Sequence, residues 1–249
     1  MRLAGRAHPG RGCLNVAVLP RRARSRREEL SFLFVMTYGR SGSTLLQGVL
    51  NSIPGYLIRG ENRQVLRHLY DFHSRSVAHR RSMRRNQRRR GLPVGGSTST
   101  HPFFGMDNFA VEKSLAGTRQ LALDTLLRPE PDTRVVGFKE IRWAARDVAD
   151  YVAWLQRVFP GARFVVNTRD LDAVSSSKWW AELPDARSKL AKRERRILTI
   201  AESLGEAAFH VRYDDYAGNP PALAPLFDWL GENYDEAPIR AVMDLRHSY

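Results

Sequence analysis

The chain has 249 residues, of which 43% are hydrophobic and 27% charged, and its formal net charge at pH 7 is +14. This length and apolar content suit one α/β domain of ordinary size. No run of 18 or more apolar residues occurs, so no transmembrane helix is predicted. Residues 1–27 and 75–90 each contain eight arginines and no acid, and the rest of the chain has 24 basic and 26 acidic residues. Because the charge is confined to two segments, a nucleic-acid-binding domain is not expected.

The beginning of the chain is a basic leader over residues 1–30. We expect it to be disordered, because it has too little periodic apolar sequence to dock on a core. The only cysteine, Cys13, lies in this leader, so no intrachain disulfide can form and a reducing, cytoplasmic location is predicted. The predicted domain extends from residue 31 to residue 249.

The domain opens with a strand, a tight turn and a helix. Residues 34–46, FVMTYGRSGSTLL, contain an apolar run, a turn with glycine, and a Ser/Thr start to a helix predicted over 43–52. Unpaired N–H groups of such a turn point at one spot, where the helix dipole also favours negative charge. The segment therefore predicts a phosphate-binding loop, although a strand-turn-helix with a serine N-cap has the same pattern. The lysine of the ATP-binding loop GxxxxGK[ST] is missing.

Apolar periodicity predicts the elements that follow. They are a short strand at 56–59, a helix from about 63 into the arginine run, a helix at 108–127, a strand at 135–139, a helix at 147–159 and a strand at 164–167. Gly, Ser, Thr and Pro predict an irregular loop over 91–105, so residues 75–104 form an arginine-rich insertion. Like charges four residues apart destabilise an isolated helix, so a solvated helix and a disordered loop both remain open for 75–90.

A second strand-turn-helix lies at 163–180, RFVVNTRDLDAVSSSKWW. Arg169 follows the strand, and Ser177 lies eight residues later on a helix predicted over 171–181. Strand ends in parallel α/β sheets face the ligand crevice, so this pair could bind a further phosphate. Alternatively, Arg169 pairs with a neighbouring aspartate. Helices at 188–203, 221–230 and 236–244 and a strand at 210–213 complete the prediction, which is a parallel sheet flanked by helices.

Together, the two segments resemble the sulfotransferases that use 3′-phosphoadenosine 5′-phosphosulfate (PAPS), of the bacterial and carbohydrate type with an RSGST loop. In that family the first loop binds the 5′-phosphosulfate, and a strand-end arginine with a serine eight residues later binds the 3′-phosphate. VGFKEIR at 136–142, VRYDDYAGNP at 211–220 and RHSY at 246–249 are similar to further family segments. The resemblance implies a P-loop-like three-layer α/β fold and leaves 75–104 without a counterpart.

The resemblance also implies PAPS as co-substrate, no metal, and a set of binding residues. It assigns the 5′-phosphosulfate to the loop residues Arg40, Ser41, Gly42, Ser43, Thr44 and Leu45. It assigns the rest of the nucleotide to Arg169, Ser177, Tyr213, Ser248 and Tyr249. A sulfuryl group in transfer carries less charge than a phosphoryl group, so positioned donors and a guanidinium can stabilise it. Arg40 is therefore predicted to be the catalytic cation.

An acceptor hydroxyl needs a base, and two carboxylates compete for this role. Glu61 lies 21 residues after Arg40, the spacing at which a similar bacterial sulfotransferase carries its proposed catalytic glutamate. Glu140 ends a predicted strand at the same edge and alternatively pairs with Lys139, Arg142 or a substrate. A histidine is a third option.

Three functions follow from these patterns. They are a PAPS-dependent sulfotransferase acting on a hydroxyl, a P-loop kinase, and a non-catalytic protein that binds anions or nucleic acid. The kinase is disfavoured, because the loop lacks its lysine and the second strand ends in Arg169 instead of an acidic Mg²⁺ ligand. The RSGST loop implies a carbohydrate or glycolipid acceptor. Trp179 and Trp180 either wall that acceptor's site or belong to the core.

Overall fold

The computed structural model describes residues 30–245 of the chain. Residues 31–245 belong to one compact unit. The predicted leader, apart from Leu30, and the predicted nucleotide contacts Ser248 and Tyr249 lie outside the described residues. Within 30–245, no helix is long and apolar enough to cross a membrane.

The described residues contain one sheet of five parallel strands in the order β2-β3-β1-β4-β5. The first strand is central, and Met36 at its carboxyl end lies between Glu140 and Val166 of its two neighbours. The connection after β1 leads to β2 on one side of the sheet and that after β4 leads to β5 on the other, which creates a crevice beyond the carboxyl ends of β1 and β4. The strands are β1 Ser31–Met36, β2 Tyr56–Arg59, β3 Val135–Glu140, β4 Arg163–Thr168 and β5 Ala208–Arg212.

Helices connect the strands. In the part of the chain that the structure describes, they are α1 Ser43–Asn51, α2 Leu66–Arg89, α3 Val111–Leu121, α4 Val148–Val158, α5 Leu171–Ser175, α6 Ala186–Leu204, α7 Tyr213–Tyr216, α8 Ala224–Leu230 and α9 Glu236–Met243. Shorter 3₁₀ or π turns lie between several of them. Alternation of strands and helices therefore produces the predicted α/β architecture.

Side chains of β1 alternate between the two faces of the sheet. Leu33 and Val35 belong to a buried cluster that also contains Leu46 of α1, Phe227 of α8 and Ile239 of α9. On the opposite face, the ring of Phe34 packs against three aromatic rings at centroid distances of 4.7, 5.4 and 5.6 Å, from Phe138, Phe159 and Phe164. The sheet is thus covered by helices on both faces, which confirms the predicted fold class.

Three predicted helices differ from the observed ones. The helix predicted over 221–230 begins with a 3₁₀ turn at Pro220–Leu223 and is α-helical only from Ala224. The helix predicted over 171–181 ends at Ser175. Ser177 is extended and Lys178 has a left-handed backbone with φ 47°, so the chain turns before a 3₁₀ turn at Lys178–Trp180. The helix predicted over 108–127 is α-helical only from Val111 to Leu121 and continues as a π-helical turn to Leu127. None of these differences is visible in the apolar periodicity.

The arginine run is a helix. Helix α2 continues through it to Arg89, and only a few of its side chains are buried. Tyr70 and His73 are covered in its first half, and Met83 and Gln87 in its second half. Burial of these side chains stabilises a segment whose like charges would destabilise it in isolation.

Candidate active site

A cavity of about 430 Å³ opens at the carboxyl end of β1. Its walls come from the loop after β1, the ends of β3 and β4, the loop after β2, and the last described residues. The lining residues are Gly39, Arg40, Gly42, Ser43, Thr44, Leu45, Glu61, Lys139, Ile141, Arg169, Trp179, Tyr213, Met243 and Leu245. Eight of the predicted site residues line this cavity, whereas Ser41, Glu140 and Ser177 are not among its lining residues.

The loop between β1 and α1 requires glycine at Gly42. This residue has a left-handed backbone with φ 77°, and a Cβ atom there would lie 2.0 Å from the ring of Tyr213. It immediately precedes α1, whose first turn has no side-chain cap. Among residues 30–245, no side chain caps the N–H groups that begin α1, and Gly42, Ser43 and Thr44 line the cavity, as an anion site requires.

Arg40 also has a left-handed backbone, with φ 69°. A non-glycine residue in this region carries strain of order 1–3 kcal/mol, which persists only where the surroundings hold it. The side chain Nε of Arg40 donates to Ser177 Oγ at 3.3 Å. The unusual backbone thus brings the first loop into contact with the second predicted phosphate-binding segment.

Buried hydrogen bonds hold the loop from below. Thr37 Oγ1 donates to the Asn167 carbonyl at 2.7 Å and lies 2.6 Å from Ser41 Oγ. The side-chain amide of Asn167 donates to the Ser41 carbonyl at 2.8 Å and accepts from the Tyr216 hydroxyl at 2.7 Å. Ser41 is completely buried. Its hydroxyl therefore ties the loop to the sheet.

Arg169 lies at the end of β4 with its guanidinium 4.6 Å from the centre of the Tyr213 ring. Its Nη1 donates to the Arg40 carbonyl at 3.3 Å. Its Nε is buried and has no hydrogen-bond partner within residues 30–245. A buried guanidinium N–H without an acceptor is costly, so this atom suits an anionic ligand. Arg169, Arg40 and Ser177 form one connected group.

Tyr38 fixes the backbone of Arg169. The Tyr38 hydroxyl accepts the N–H of Arg169 at 3.0 Å and donates to Glu194 Oε2 at 2.5 Å. Burial, together with the hydrogen bond to Glu194, raises the pKa of the Tyr38 hydroxyl well above its usual value. Tyr38 therefore stays protonated and keeps donating to Glu194 over the working pH range.

Glu61 forms an ion pair with Lys139 across the cavity wall. Lys139 Nζ lies 2.7 Å from Glu61 Oε1, and the lysine is 5% exposed. The Glu61 side chain remains about one-third exposed, at 36%. Lys139 fixes one carboxylate oxygen of Glu61, and the other accepts no hydrogen bond from residues 30–245.

Glu140 has a different environment. It is completely buried. Its Oε2 accepts the Gln64 N–H at 2.9 Å and its Oε1 accepts the Ile141 N–H at 2.8 Å. Both oxygens thus hold main-chain groups. Lys139, which the sequence offered as a partner for Glu140, pairs with Glu61.

Residues 33–236 match the model of the sulfotransferase family. The chain belongs to the sulfotransferase family. Because the matched segment covers most of the domain, both predicted phosphate-binding segments lie inside it. This match confirms the family resemblance carried by the two motifs. A comparison with curated protein sequences finds no match.

Two solved sulfotransferase structures are similar to this chain. The first is a sulfotransferase domain from the olefin synthase of Synechococcus PCC 7002, with 18% identity, a TM-score of 0.49, and coverage of 84% of this chain and 75% of that one. The second is a sulfotransferase from Mycobacterium avium, with 16% identity, a TM-score of 0.45, and coverage of 88% and 69%.

The two tryptophans have separate roles in this sulfotransferase. Their rings stack at 4.2 Å. Trp179 lines the cavity and is 42% exposed, whereas Trp180 is buried and its Nε1 donates to the Gly39 carbonyl at 3.1 Å. A Cβ atom on Gly39 would lie 2.8 Å from Trp179, so glycine permits this close packing. Trp180 therefore belongs to the core, as one interpretation expected, whereas Trp179 lines the cavity.

Sequence reasoning missed several cavity residues. Lys139 had a signal, since a lysine near the end of the apolar strand VVGFKE needs a partner. Gly39 had a weaker signal, since it directly precedes Arg40, the first residue of the RSGST loop. Ile141, Met243 and Leu245 have no local signal, because their place at the cavity depends on tertiary packing. Within residues 30–245, no group of three or more His, Cys, Asp or Glu side chains is placed to hold a metal ion.

Proposed function

We propose that this sulfotransferase is an enzyme that transfers a sulfuryl group from PAPS to a hydroxyl of its acceptor. The observation that carries the proposal is the contact between the two motifs: Arg40 Nε reaches Ser177, and Arg169 Nη1 reaches the Arg40 carbonyl. Segments about 130 residues apart in sequence thus bring the arginines Arg40 and Arg169 together at one cavity. A single ligand with two phosphate-like ends suits this arrangement.

The 5′ end of the donor is assigned to the loop before α1. The N–H groups of Gly42, Ser43 and Thr44 and the helix dipole favour negative charge there. Thr44 and Ser43 add hydroxyl donors at the cavity. Arg40 supplies the cation that stabilises charge on the leaving group as the sulfur–oxygen bond breaks.

The 3′-phosphate is assigned to Arg169 and Ser177. Support comes from the unpartnered, buried Nε of Arg169, which an anion would satisfy. The Tyr213 ring stacks on the Arg169 guanidinium and packs next to Gly42. An arginine can bind a phosphate through two N–H groups at once, which gives geometric selectivity.

Glu61 is the proposed base. Its free oxygen accepts the proton of the acceptor hydroxyl while the hydroxyl oxygen forms a bond to sulfur and the bond from sulfur to the nucleotide breaks. Lys139 holds the other oxygen and orients the carboxylate. Glu140 is instead proposed to position the strand-end loops, because both of its oxygens are occupied by main-chain N–H groups.

A sugar or glycolipid hydroxyl is the proposed acceptor. The exposed face of Trp179 supports it, since a flat aromatic ring at the cavity can stack on the apolar face of a sugar. The second candidate function, anion binding without turnover, would use the same loop and would leave Glu61 without a role.

The donor assignment is tested by calorimetry with 3′-phosphoadenosine 5′-phosphate and AMP, both in EDTA. We expect the first nucleotide to bind more tightly, because only it carries the 3′-phosphate. A charged hydrogen bond is worth roughly 1.5–3 kcal/mol, so Arg169→Ala should abolish a preference of about ten- to hundredfold. Arg187→Ala, which removes an exposed arginine paired with Asp172, is the matched control and should preserve it. Equal affinity for both nucleotides in the wild type would overturn the assignment.

A further inference from the structure

A second cavity lies outside the proposed active site, between α2 and the loop that follows it. Its volume is about 460 Å³, and none of its lining residues also lines the first cavity. Residues 72–106 surround it and contain eight arginines and no acid. The proposed transfer reaction gives this segment no role.

Exposed apolar side chains concentrate in the same segment. Half of the ten large hydrophobic residues that are exposed within residues 30–245 lie between positions 72 and 94 or at 103 and 104. Phe103 is 53% exposed and Phe104 is 59% exposed. Single exposed apolar residues are ordinary, but a cluster of them marks an interaction surface.

Helical geometry places these groups on one side. Phe72, Arg75, His79 and Arg89 lie within an arc of about 100° on α2, since successive residues turn by roughly 100°. The ring of Phe103 contacts that of His79 at a centroid distance of 4.6 Å. The loop therefore stands beside this stripe of the helix. We call the surface formed by Phe72, Arg75, Arg89, Leu92, Phe103 and Phe104 the arginine–aromatic face.

Buried polar contacts hold the loop against the helix. Asp107 is completely buried and accepts hydrogen bonds from Gln87 Nε2 at 2.7 Å, from Ser97 Oγ at 2.6 Å and from the Ser97 N–H at 2.8 Å. The Gly95 N–H donates to Gln87 Oε1 at 2.9 Å. These hydrogen bonds fix the loop on the helix, and with it the arginine–aromatic face.

We propose that the arginine–aromatic face docks on an anionic lipid surface. Arginines next to apolar side chains suit the membrane interface, where cations bind lipid phosphates and apolar groups insert between headgroups. Phosphate contacts alone would explain the arginines in a nucleic-acid site, but they leave Leu92, which cannot stack on bases, without a function. The positive charge that complements an anionic lipid surface lies in this segment, because the chain outside the segment and the leader is nearly neutral.

The test is co-sedimentation of the full chain with vesicles of phosphatidylcholine, with and without phosphatidylglycerol. We expect binding only to vesicles that contain phosphatidylglycerol, weakened by salt because exposed charges are screened. The double variant Arg75→Gln with Arg89→Gln should lower vesicle affinity roughly 25-fold, because each arginine contributes about fivefold. Arg21→Gln with Arg24→Gln removes the same charge from the leader and should lower it less.

The deciding variant is Phe103→Ser with Phe104→Ser, because it leaves the charge unchanged. We expect it to lower vesicle affinity about tenfold or more, with unchanged thermal unfolding and unchanged binding of 3′-phosphoadenosine 5′-phosphate. Wild-type vesicle affinity in this variant would overturn the proposal. An equal loss of affinity for single-stranded DNA would also overturn it, since the rings would then be stacking on bases. Failure of nucleotide binding in the wild type would concern only the donor assignment.

Discussion

The two cavities of this sulfotransferase differ in how the charged side chains around them are paired. In the first, charged side chains have fixed side-chain partners: Glu61 pairs with Lys139, and Arg40 contacts Ser177. Strand ends and buried hydrogen bonds fix their positions. Around the second, eight arginines have no acid within residues 72–106, and the nearby buried carboxylate of Asp107 accepts from neutral groups, Gln87 of α2 and Ser97 of the loop. Matched and fixed charge suits chemistry at defined atoms, whereas unmatched surface charge suits capture of an anionic surface.

The largest effect is expected when the Glu61–Lys139 pair loses its carboxylate, which is the proposed base. Glu61→Gln should lower turnover by about 10²–10⁴-fold, because general-base catalysis typically contributes that much. Binding of 3′-phosphoadenosine 5′-phosphate should stay unchanged, since Glu61 pairs with Lys139 and is assigned to the acceptor instead of the nucleotide. Steady-state kinetics and calorimetry on the same preparation measure both quantities.

Glu140→Gln is the comparison for that variant. It should lower the melting temperature, because an amide cannot accept both main-chain N–H groups that the carboxylate accepts. Residual turnover per folded molecule should remain. If Glu61→Gln stays active and folded Glu140→Gln does not, the base assignment moves to Glu140.

The next effect concerns the loop before α1. Gly42→Ala should destabilise the protein by about 2–5 kcal/mol, because the new Cβ atom meets the Tyr213 ring and the backbone is left-handed. Gly91→Ala is a matched control, since Gly91 also has positive φ, 67°, but open space around it. It should cost only about 1 kcal/mol. Chemical denaturation measures both, and equal losses would mean that Tyr213 moves aside freely.

Local sequence patterns were sufficient for the fold and for the position of the loop between β1 and α1. A strand that ends in a glycine turn and a Ser/Thr-started helix produces the loop through contacts only a few residues apart. Contacts at long range were not predictable. The pairing of Lys139 with Glu61 joins residues 78 positions apart, and the burial of Glu140 depends on where the loop near Gln64 comes back to the sheet.

The arginine run is a second case in which local sequence could not decide the structure. Local charge repulsion left a helix and a disordered loop equally open for 75–90. The helix is stabilised by burial of Tyr70, Met83 and Gln87. Tyr70 packs on Tyr151 and Trp154, and Gln87 donates to Asp107. The early end of α5 likewise follows from the left-handed backbone at Lys178, which no apolar pattern encodes. The assigned roles of the site residues stay predictions until turnover and binding are measured.

A smaller effect is expected at the support of Arg169. Tyr38→Phe removes the hydroxyl that accepts the Arg169 N–H and donates to Glu194. Loss of such a bond costs about 1 kcal/mol, so affinity for 3′-phosphoadenosine 5′-phosphate should fall roughly fivefold. AMP affinity should fall less, because AMP does not use the guanidinium. Calorimetry with both nucleotides measures the difference, and a parallel loss for both would indicate a general structural effect.

The smallest effect is an acid response of the second cavity. Hydrogen bonds from Ser97, together with that from Gln87, lower the pKa of Asp107 to about 2. Because the folded pKa lies below the unfolded value of 3.8, the stabilisation from this carboxylate is complete above pH 3.8 and is lost as the pH falls toward 2. Hydrogen exchange of the Ser97 and Gly95 amides should therefore accelerate, relative to intrinsic rates, as the pH falls through that range.

The amide of Leu45 is the internal reference for this measurement. It donates to the Gly42 carbonyl and has no carboxylate partner, so its protection should not follow the titration of Asp107. Asp107→Asn should reproduce the faster exchange of Ser97 and Gly95 already at neutral pH, because an amide cannot accept all the bonds that the carboxylate accepts. The same variant should weaken binding to anionic vesicles while leaving nucleotide affinity unchanged, since it loosens the loop that carries the exposed phenylalanines. If Asp107→Asn exchanges like the wild type, other contacts hold the loop, and the polar anchor is not what fixes the arginine–aromatic face.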